Sequence, residues 1–196
     1  MKSQLTIIMT ICCFLLLTTS AFSQSLSVES LLDKAVSLSA KGDHAATADA
    51  LTQSANALET EVETSDGSLK GKLLSKVGDL KSMIPLASGG KLQSGIVGKA
   101  VKAIKMLIGA NRISSLLGKG DSGLLGKASS VTNSLGLIKA GSSILGSDSQ
   151  SQLNALLGEA TKTSGELDKK GLTGKLAATA SSKSLDGIVK LVSSAL

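Results

Sequence analysis

The sequence is marked first by what it lacks. Among its 196 residues there is no Trp and no Tyr, and its two Phe residues, Phe14 and Phe22, lie in an N-terminal stretch that we expect to be removed. Both Cys residues lie in the same stretch, and the rest of the chain has one His, His44, and one Pro, Pro85. The remaining chain therefore has neither aromatic rings nor thiols, and it must be stable through an aliphatic core without disulfides.

These absences exclude several functions. A structural zinc site needs about four Cys or His ligands, and haem or flavin would lack the usual ligands or binding fingerprint. No ring remains to stack on a nucleic-acid base or on a sugar, so we expect no cofactor, no nucleic-acid partner and no small-molecule substrate. A Ser-His-Asp triad could use only His44, and Asp43 is too close to it in sequence for an orienting role. We therefore predict a protein that is not an enzyme.

The first 23 residues have the pattern of a secretory signal peptide. Lys2 precedes a 13-residue apolar stretch, residues 5–17, and Ala21-Phe22-Ser23 then places small residues at the −3 and −1 positions. The stretch is shorter than the ~20 residues that span a bilayer, which argues against a membrane anchor. We predict cleavage after Ser23, with cleavage after Ala21 as the alternative, and hence an extracytoplasmic protein, either periplasmic or secreted.

Apolar residues recur at helical spacing along nearly all of the remaining chain. The pattern predicts six longer helices and two short final ones, which begin near Val28, Asp43, Leu69, Leu92, Leu124, Leu153, Leu172 and Ser184. Ser27 and Asp43 are the expected N-caps of the first two helices, and Pro85 is expected to end the third. Strand-like alternation is missing. We predict an all-α fold, an irregular bundle of six to eight amphipathic helices, in a single domain formed by residues 24–196.

Charge is distributed unevenly along this domain. Residues 24–79 carry a formal charge of −4, residues 80–120 carry +7 without an acidic residue, and residues 121–196 carry +2. We distinguish an acidic helical hairpin at residues 27–66, a basic segment at residues 80–120 and mixed-charge helices at residues 121–196. Nearly all of the net positive charge thus lies in the basic segment.

Residues 91–112 form an amphipathic helix within the basic segment. On a helical wheel its apolar residues cover an arc of about 220°, wider than the stripe of roughly 100° on an ordinary surface helix. The opposite side carries the cations Lys91, Lys102, Lys105 and Arg112. Two interpretations fit this pattern. The helix is central to the bundle and buried on two sides, as a chain of this size requires of some element, or it lies in a membrane interface with its lysines at anionic headgroups.

The pattern leads to two hypotheses about function. The first is a binding role at an anionic or amphiphilic surface, such as a membrane, a lipid or an acidic protein face. The four cations would supply charge, and the apolar contacts would come from Ile96, Val101, Ile104 and Ile108. The alternative is a structural or scaffold protein in which the same helix is core. The acidic hairpin would then contact a protein partner or the basic segment of another copy, giving a homo-oligomer.

Expression in a secreting host is expected to release a chain that begins at Gln24, because small residues at the −3 and −1 positions direct cleavage after Ser23. Intact-mass spectrometry of the exported protein measures this directly. A mass that corresponds to a chain beginning at Phe22 supports the alternative cleavage site. Recovery of only the uncleaved chain would contradict the signal-peptide prediction.

Overall fold

The computed structural model describes residues 27–63, residue 65 and residues 68–196. These residues form eight α-helices, one 3-10 helix and no strand, which confirms the predicted all-α bundle. The predicted signal peptide lies outside the described residues. The helices are α1 (Val28–Ala40), α2 (His44–Glu63), α3 (Ser68–Ser88), α4 (Ser94–Leu117), α5 (Asp121–Leu124), α6 (Ala128–Gly141), α7 (Ser147–Ser164) and α8 (Leu172–Ala195), with the 3-10 helix (Ser142–Ile144) after α6.

Side-chain caps begin the first two helices. The Ser27 hydroxyl oxygen accepts a hydrogen bond from the Ser30 N–H at 3.3 Å. A carboxylate oxygen of Asp43 accepts one from the Ala46 N–H at 3.1 Å. Each bond satisfies an N–H group that has no carbonyl partner within its helix. Both predicted N-caps are confirmed, and Gly42, with a φ of 74°, makes the turn between the two helices.

The long helix α4 lies at the centre of the bundle. It packs against α1 and α3 from the N-terminal half of the chain and against α6 and α8 from the C-terminal half. Between Ala103 and Ile113 every residue except Lys105 and Arg112 is buried. A helix that is apolar nearly all round has to be enclosed by its neighbours. The wide apolar arc of residues 91–112 therefore agrees with the central-helix interpretation.

Two glycines bring the backbones of α4 and α6 close together. A Cβ atom at Gly109 would lie 2.5 Å from the carbonyl oxygen of Ser134. A Cβ atom at Gly141 would overlap Met106 and the carbonyl oxygen of Lys102. Glycine alone leaves this space free, so the contact between α4 and α6 depends on both positions.

Pro85 does not end its helix, contrary to the prediction. It lies inside α3, which continues to Ser88. Proline removes one N–H from the helical ladder, but Ala87 beyond it is buried in the core and stabilises the last turn. The chain then leaves the helix at Gly90, whose φ is 67°.

Two further boundaries differ from the prediction. The helix expected from Leu124 onwards is divided into α5 and α6, because Gly126 has a φ of 70° and donates its N–H to the Leu167 carbonyl at 3.0 Å. The two short final helices are one helix, α8. Ser184, near which the second short helix was expected to begin, is buried within it, as is Ser181. The Ser181 hydroxyl pairs with that of Thr163 at 2.7 Å, so the helix continues without an unsatisfied polar group.

Substituting Gly109 by Ala is expected to lower the free energy of unfolding by about 1–3 kcal/mol, because the added methyl group overpacks the contact between α4 and α6. The matched control is Gly98→Ala in the same helix, where nothing lies within 4 Å of an added Cβ. The control should be neutral or stabilising by up to ~1 kcal/mol. Urea denaturation measures both, and equal effects of the two substitutions would contradict the close helix contact.

Candidate functional site

Arg112 joins the acidic hairpin to the central helix. Its Nη1 lies 2.5 Å from Oε1 of Glu29 in α1. Its Nε and Nη2 donate hydrogen bonds to the two carboxylate oxygens of Glu61 in α2, at 2.8 and 3.1 Å. Paired donors of this kind give the strongest class of side-chain contact. One guanidinium group thus connects three helices.

Both ends of this contact favour the charged state. Burial alone would raise the pKa of the Glu29 carboxyl. Hydrogen bonds from its own backbone amide and from Ser27, together with Arg112, outweigh burial and hold that pKa below its ordinary value of 4.5. The hydrogen bond to Glu61 raises the pKa of Arg112, against the opposing effect of burial. Glu29 and Arg112 therefore both stay ionised through the neutral pH range.

Other cations of the basic segment also have partners within the chain. Lys105 forms an ion pair with Asp33 of α1 at 2.5 Å. Lys81 forms a more exposed pair with Glu59 of α2 at 2.5 Å. The acidic hairpin therefore neutralises part of the basic segment of its own chain.

The predicted binding residues fall into two groups. Val101, Ile104 and Ile108 are buried in the core, so in this fold they cannot contact an external surface, contrary to the role first expected of them. Burial follows because helices from both halves of the chain cover that length of α4. Ile96, which precedes all three of these residues in α4, is 47% exposed.

The predicted cations divide in the same way. Lys102 donates a hydrogen bond to the Ser143 hydroxyl at 3.0 Å, and Lys105 and Arg112 hold carboxylates. Lys91 is exposed and forms no ion pair within the part of the chain that the structure describes. The cations in the C-terminal part of the predicted site thus form contacts within the chain, whereas the N-terminal part of the site is exposed to solvent.

An exposed apolar and basic surface remains around the turn between α3 and α4. We call it the turn surface, and it consists of Leu86, Lys91, Ile96 and Lys99. Leu86 is 45% exposed, and Lys99 forms no ion pair with any described residue. The sequence prediction missed Leu86 because it placed the end of α3 at Pro85. Lys99 was not among the four predicted cations.

A second exposed apolar pair begins helix α8. Leu172 and Leu176 are 79% and 69% exposed and lie one helical turn apart. The residues just before them have mixed charge, because Lys169 forms an ion pair with Glu166 at 2.5 Å. This pair is larger in exposed apolar area than the turn surface, but it lacks the uniform positive charge.

His44 lies exposed in the first turn of α2, as predicted. The carboxylate of Asp43 caps that helix through the Ala46 N–H. Among the described residues, no group of three or more His, Cys, Asp or Glu side chains is placed to hold a metal ion. Nor does any described helix combine the length and hydropathy needed to cross a membrane.

The fold and its surfaces define an all-α bundle in which a central basic helix is partly neutralised by an acidic hairpin. No protein-family model, curated protein or solved structure matches the chain.

Replacing Arg112 by Met is expected to lower the free energy of unfolding by about 2 kcal/mol near neutral pH, because the guanidinium group that pairs with Glu29 and Glu61 in a half-buried site is lost. The matched control Lys81→Met breaks an exposed pair and should cost less than about 1 kcal/mol. Urea denaturation of both variants measures the difference.

Acid should reduce the stability that Glu29 contributes. Because its pKa is lower in the folded than in the unfolded chain, that contribution is complete above a pH of about 4.5 and is lost as the pH falls through the folded pKa. Glu29→Gln should therefore flatten the loss of stability in acid. An acid profile identical to that of the parent protein would contradict the role of Glu29.

Proposed function

We propose that the protein is exported, has no catalytic activity of its own, and associates with anionic membrane surfaces through the turn surface. The observation that carries this proposal is the split of the predicted site. The fold uses Lys105 and Arg112 in internal pairs, whereas Lys91 and Lys99 have no carboxylate partner among the described residues. Beside them Leu86 and Ile96 remain about half exposed.

The charge of the turn surface supports an anionic partner. Its two lysines lie in residues 80–120, which contain no acidic residue. A lysine near an anionic membrane surface contributes about 1 kcal/mol, so two such residues supply about 2 kcal/mol before any apolar contact. Salt should weaken an interaction of this kind, because counterions screen exposed charges.

The apolar residues of the turn surface support a shallow contact. Leu86 and Ile96 flank the turn rather than lining a long helical face, so they could enter only the headgroup boundary. After the predicted cleavage no Trp, Tyr or Phe remains as an interfacial anchor. The expected association is therefore weak, reversible and dependent on lipid charge, unlike the insertion of a spanning helix.

Export and the absence of catalysis are proposals that rest on the sequence. Export is supported by the signal-peptide pattern of the first 23 residues. A non-catalytic role is supported by the lack of thiols and rings after cleavage, and by the capping role of Asp43 beside the one His.

Reversing the charge of the turn surface with Lys91→Glu and Lys99→Glu should weaken binding to anionic vesicles by about thirtyfold or more, because about 2 kcal/mol of attraction is lost. Co-sedimentation of the mature chain with phosphatidylglycerol-containing vesicles at low salt measures this. Vesicles of phosphatidylcholine alone should bind neither form.

The matched control is Lys170→Glu with Lys175→Glu, which changes the net charge equally beside the exposed leucines of α8. It should retain most of the binding of the parent protein. Loss of binding only in this control would move the contact to α8 and contradict the proposed site. Failure of the parent protein to bind anionic vesicles at all would overturn the proposed function.

A further inference from the structure

The imidazole ring of His44 lies beside the turn that joins α3 to α4. A Cβ atom built at Gly90 of that turn would lie 3.4 Å from both Nε2 and Cδ2 of the ring. The side chain reaches this place because Asp43 caps α2 and puts His44 in the first turn of the helix. His44 thus adjoins the turn surface, although it belongs to a different helix and is distant from it in sequence.

Hydrogen bonds hold the turn beside the ring. The Gly90 N–H donates to the Ala87 carbonyl at 3.0 Å, and the Lys91 N–H donates to the Leu86 carbonyl at 2.9 Å. One apolar and one basic member of the turn surface are therefore joined through the same turn that the ring of His44 contacts. A charge on this ring would lie next to the residues that we propose to meet the membrane.

The charged residues near His44 come from both segments that meet there. Lys91 belongs to the turn, and Lys41 and Asp43 precede His44 in the chain. The Asp43 carboxylate is engaged at the start of α2, where it accepts the Ala46 N–H at 3.1 Å. His44 is exposed and forms no ion pair with any residue that the structure describes. A proton taken up by the ring therefore adds a positive charge on the solvent side of the turn.

Histidine is the side chain whose charge ordinarily changes between about pH 5 and pH 8. The side chains of carboxylic residues and of lysine ordinarily change charge well outside that interval. The chain has one histidine, and the fold places it beside the turn surface. Mild acid can therefore add charge to this surface at one defined position.

We propose that His44 makes the membrane association of the turn surface dependent on pH. The protonated ring acts as a third cation beside Lys91 and Lys99, so binding to anionic headgroups strengthens as the solution becomes mildly acidic. One further cation near an anionic membrane surface strengthens binding by about fivefold. This inference rests on the proposed membrane association and names how it is regulated.

Co-sedimentation of the mature chain with phosphatidylglycerol-containing vesicles, at about pH 7.5 and about pH 5.5, tests the proposal. The parent protein should bind about fivefold more tightly at the lower pH. His44→Gln should bind at both pH values as the parent does at the higher one. His44→Lys should bind at both as the parent does at the lower one. Circular dichroism checks that both variants keep the helical fold.

The matched control moves the imidazole to another exposed position. His44→Gln combined with Asn154→His keeps one histidine in the chain but places it on α7, outside the turn surface. This variant should bind without the increase in acid. Full recovery of the pH dependence would show that total charge, rather than the position of His44, controls binding, and would overturn the proposal.

Proton NMR gives a second measurement, because after the predicted cleavage no Trp, Tyr or Phe signal overlaps that of the His44 ring. A bilayer that binds the protonated protein more tightly must also favour protonation, since such coupling is reciprocal. Saturating bicelles that contain phosphatidylglycerol should raise the pH of half-protonation of the ring by about 0.7, which corresponds to a fivefold change in affinity. Bicelles of phosphatidylcholine alone should leave it unchanged.

The outcomes separate this inference from the proposed function. Vesicle binding of equal strength at both pH values, or binding that keeps its pH dependence in His44→Gln, overturns the role of His44 and leaves membrane association standing. Anionic bicelles that do not raise the pH of half-protonation also overturn that role. Absence of binding to anionic vesicles at both pH values overturns the proposed function, and this inference with it.

Discussion

Burial of α4 from two sides is the constraint on which the rest of the structure depends. Between Ala103 and Ile113 this helix is apolar or small all round apart from Lys105, Asn111 and Arg112, so exposing either side to water would lose much hydrophobic stabilisation. The N-terminal and C-terminal halves of the chain each cover one part of it. The two cations then need partners, and the acidic hairpin supplies them. The uneven distribution of charge along the sequence thus has a structural role, because the acidic hairpin packs against the basic helix and pairs with its cations.

Local patterns predicted much of this fold. The all-α class followed from the apolar spacing, and the caps at Ser27 and Asp43 followed from residue type. The partners of Arg112 could not be predicted, because a helical wheel identifies a basic side but not the distant helices that meet it. Glu61 lies 51 residues away in sequence. The course of α3 past Pro85 was missed for a related reason, since core burial of the residues beyond it outweighs the local cost of proline.

The residues of the candidate site also divide into buried and exposed ones. Val97 in the first turn of α4 is fully buried next to the exposed Ile96, so the first turn is covered on one side only, whereas Val101 and Ile104 further along are core. The amphipathic pattern predicted one binding surface for Ile96, Val101 and Ile104. The burial of each residue depends instead on whether a neighbouring helix packs against its turn of α4.

Native-state hydrogen exchange of α4 tests the two-sided burial most directly. If α4 is the enclosed centre, the amides of residues 103–113 should exchange only through global unfolding, with the free energy that urea denaturation gives. They should be at least as protected as the amides of the α1–α2 hairpin. Faster exchange in α4 than in that hairpin would mean that the central helix leaves the bundle while its neighbours stay folded. That result would contradict the account and return α4 to the interface-helix interpretation.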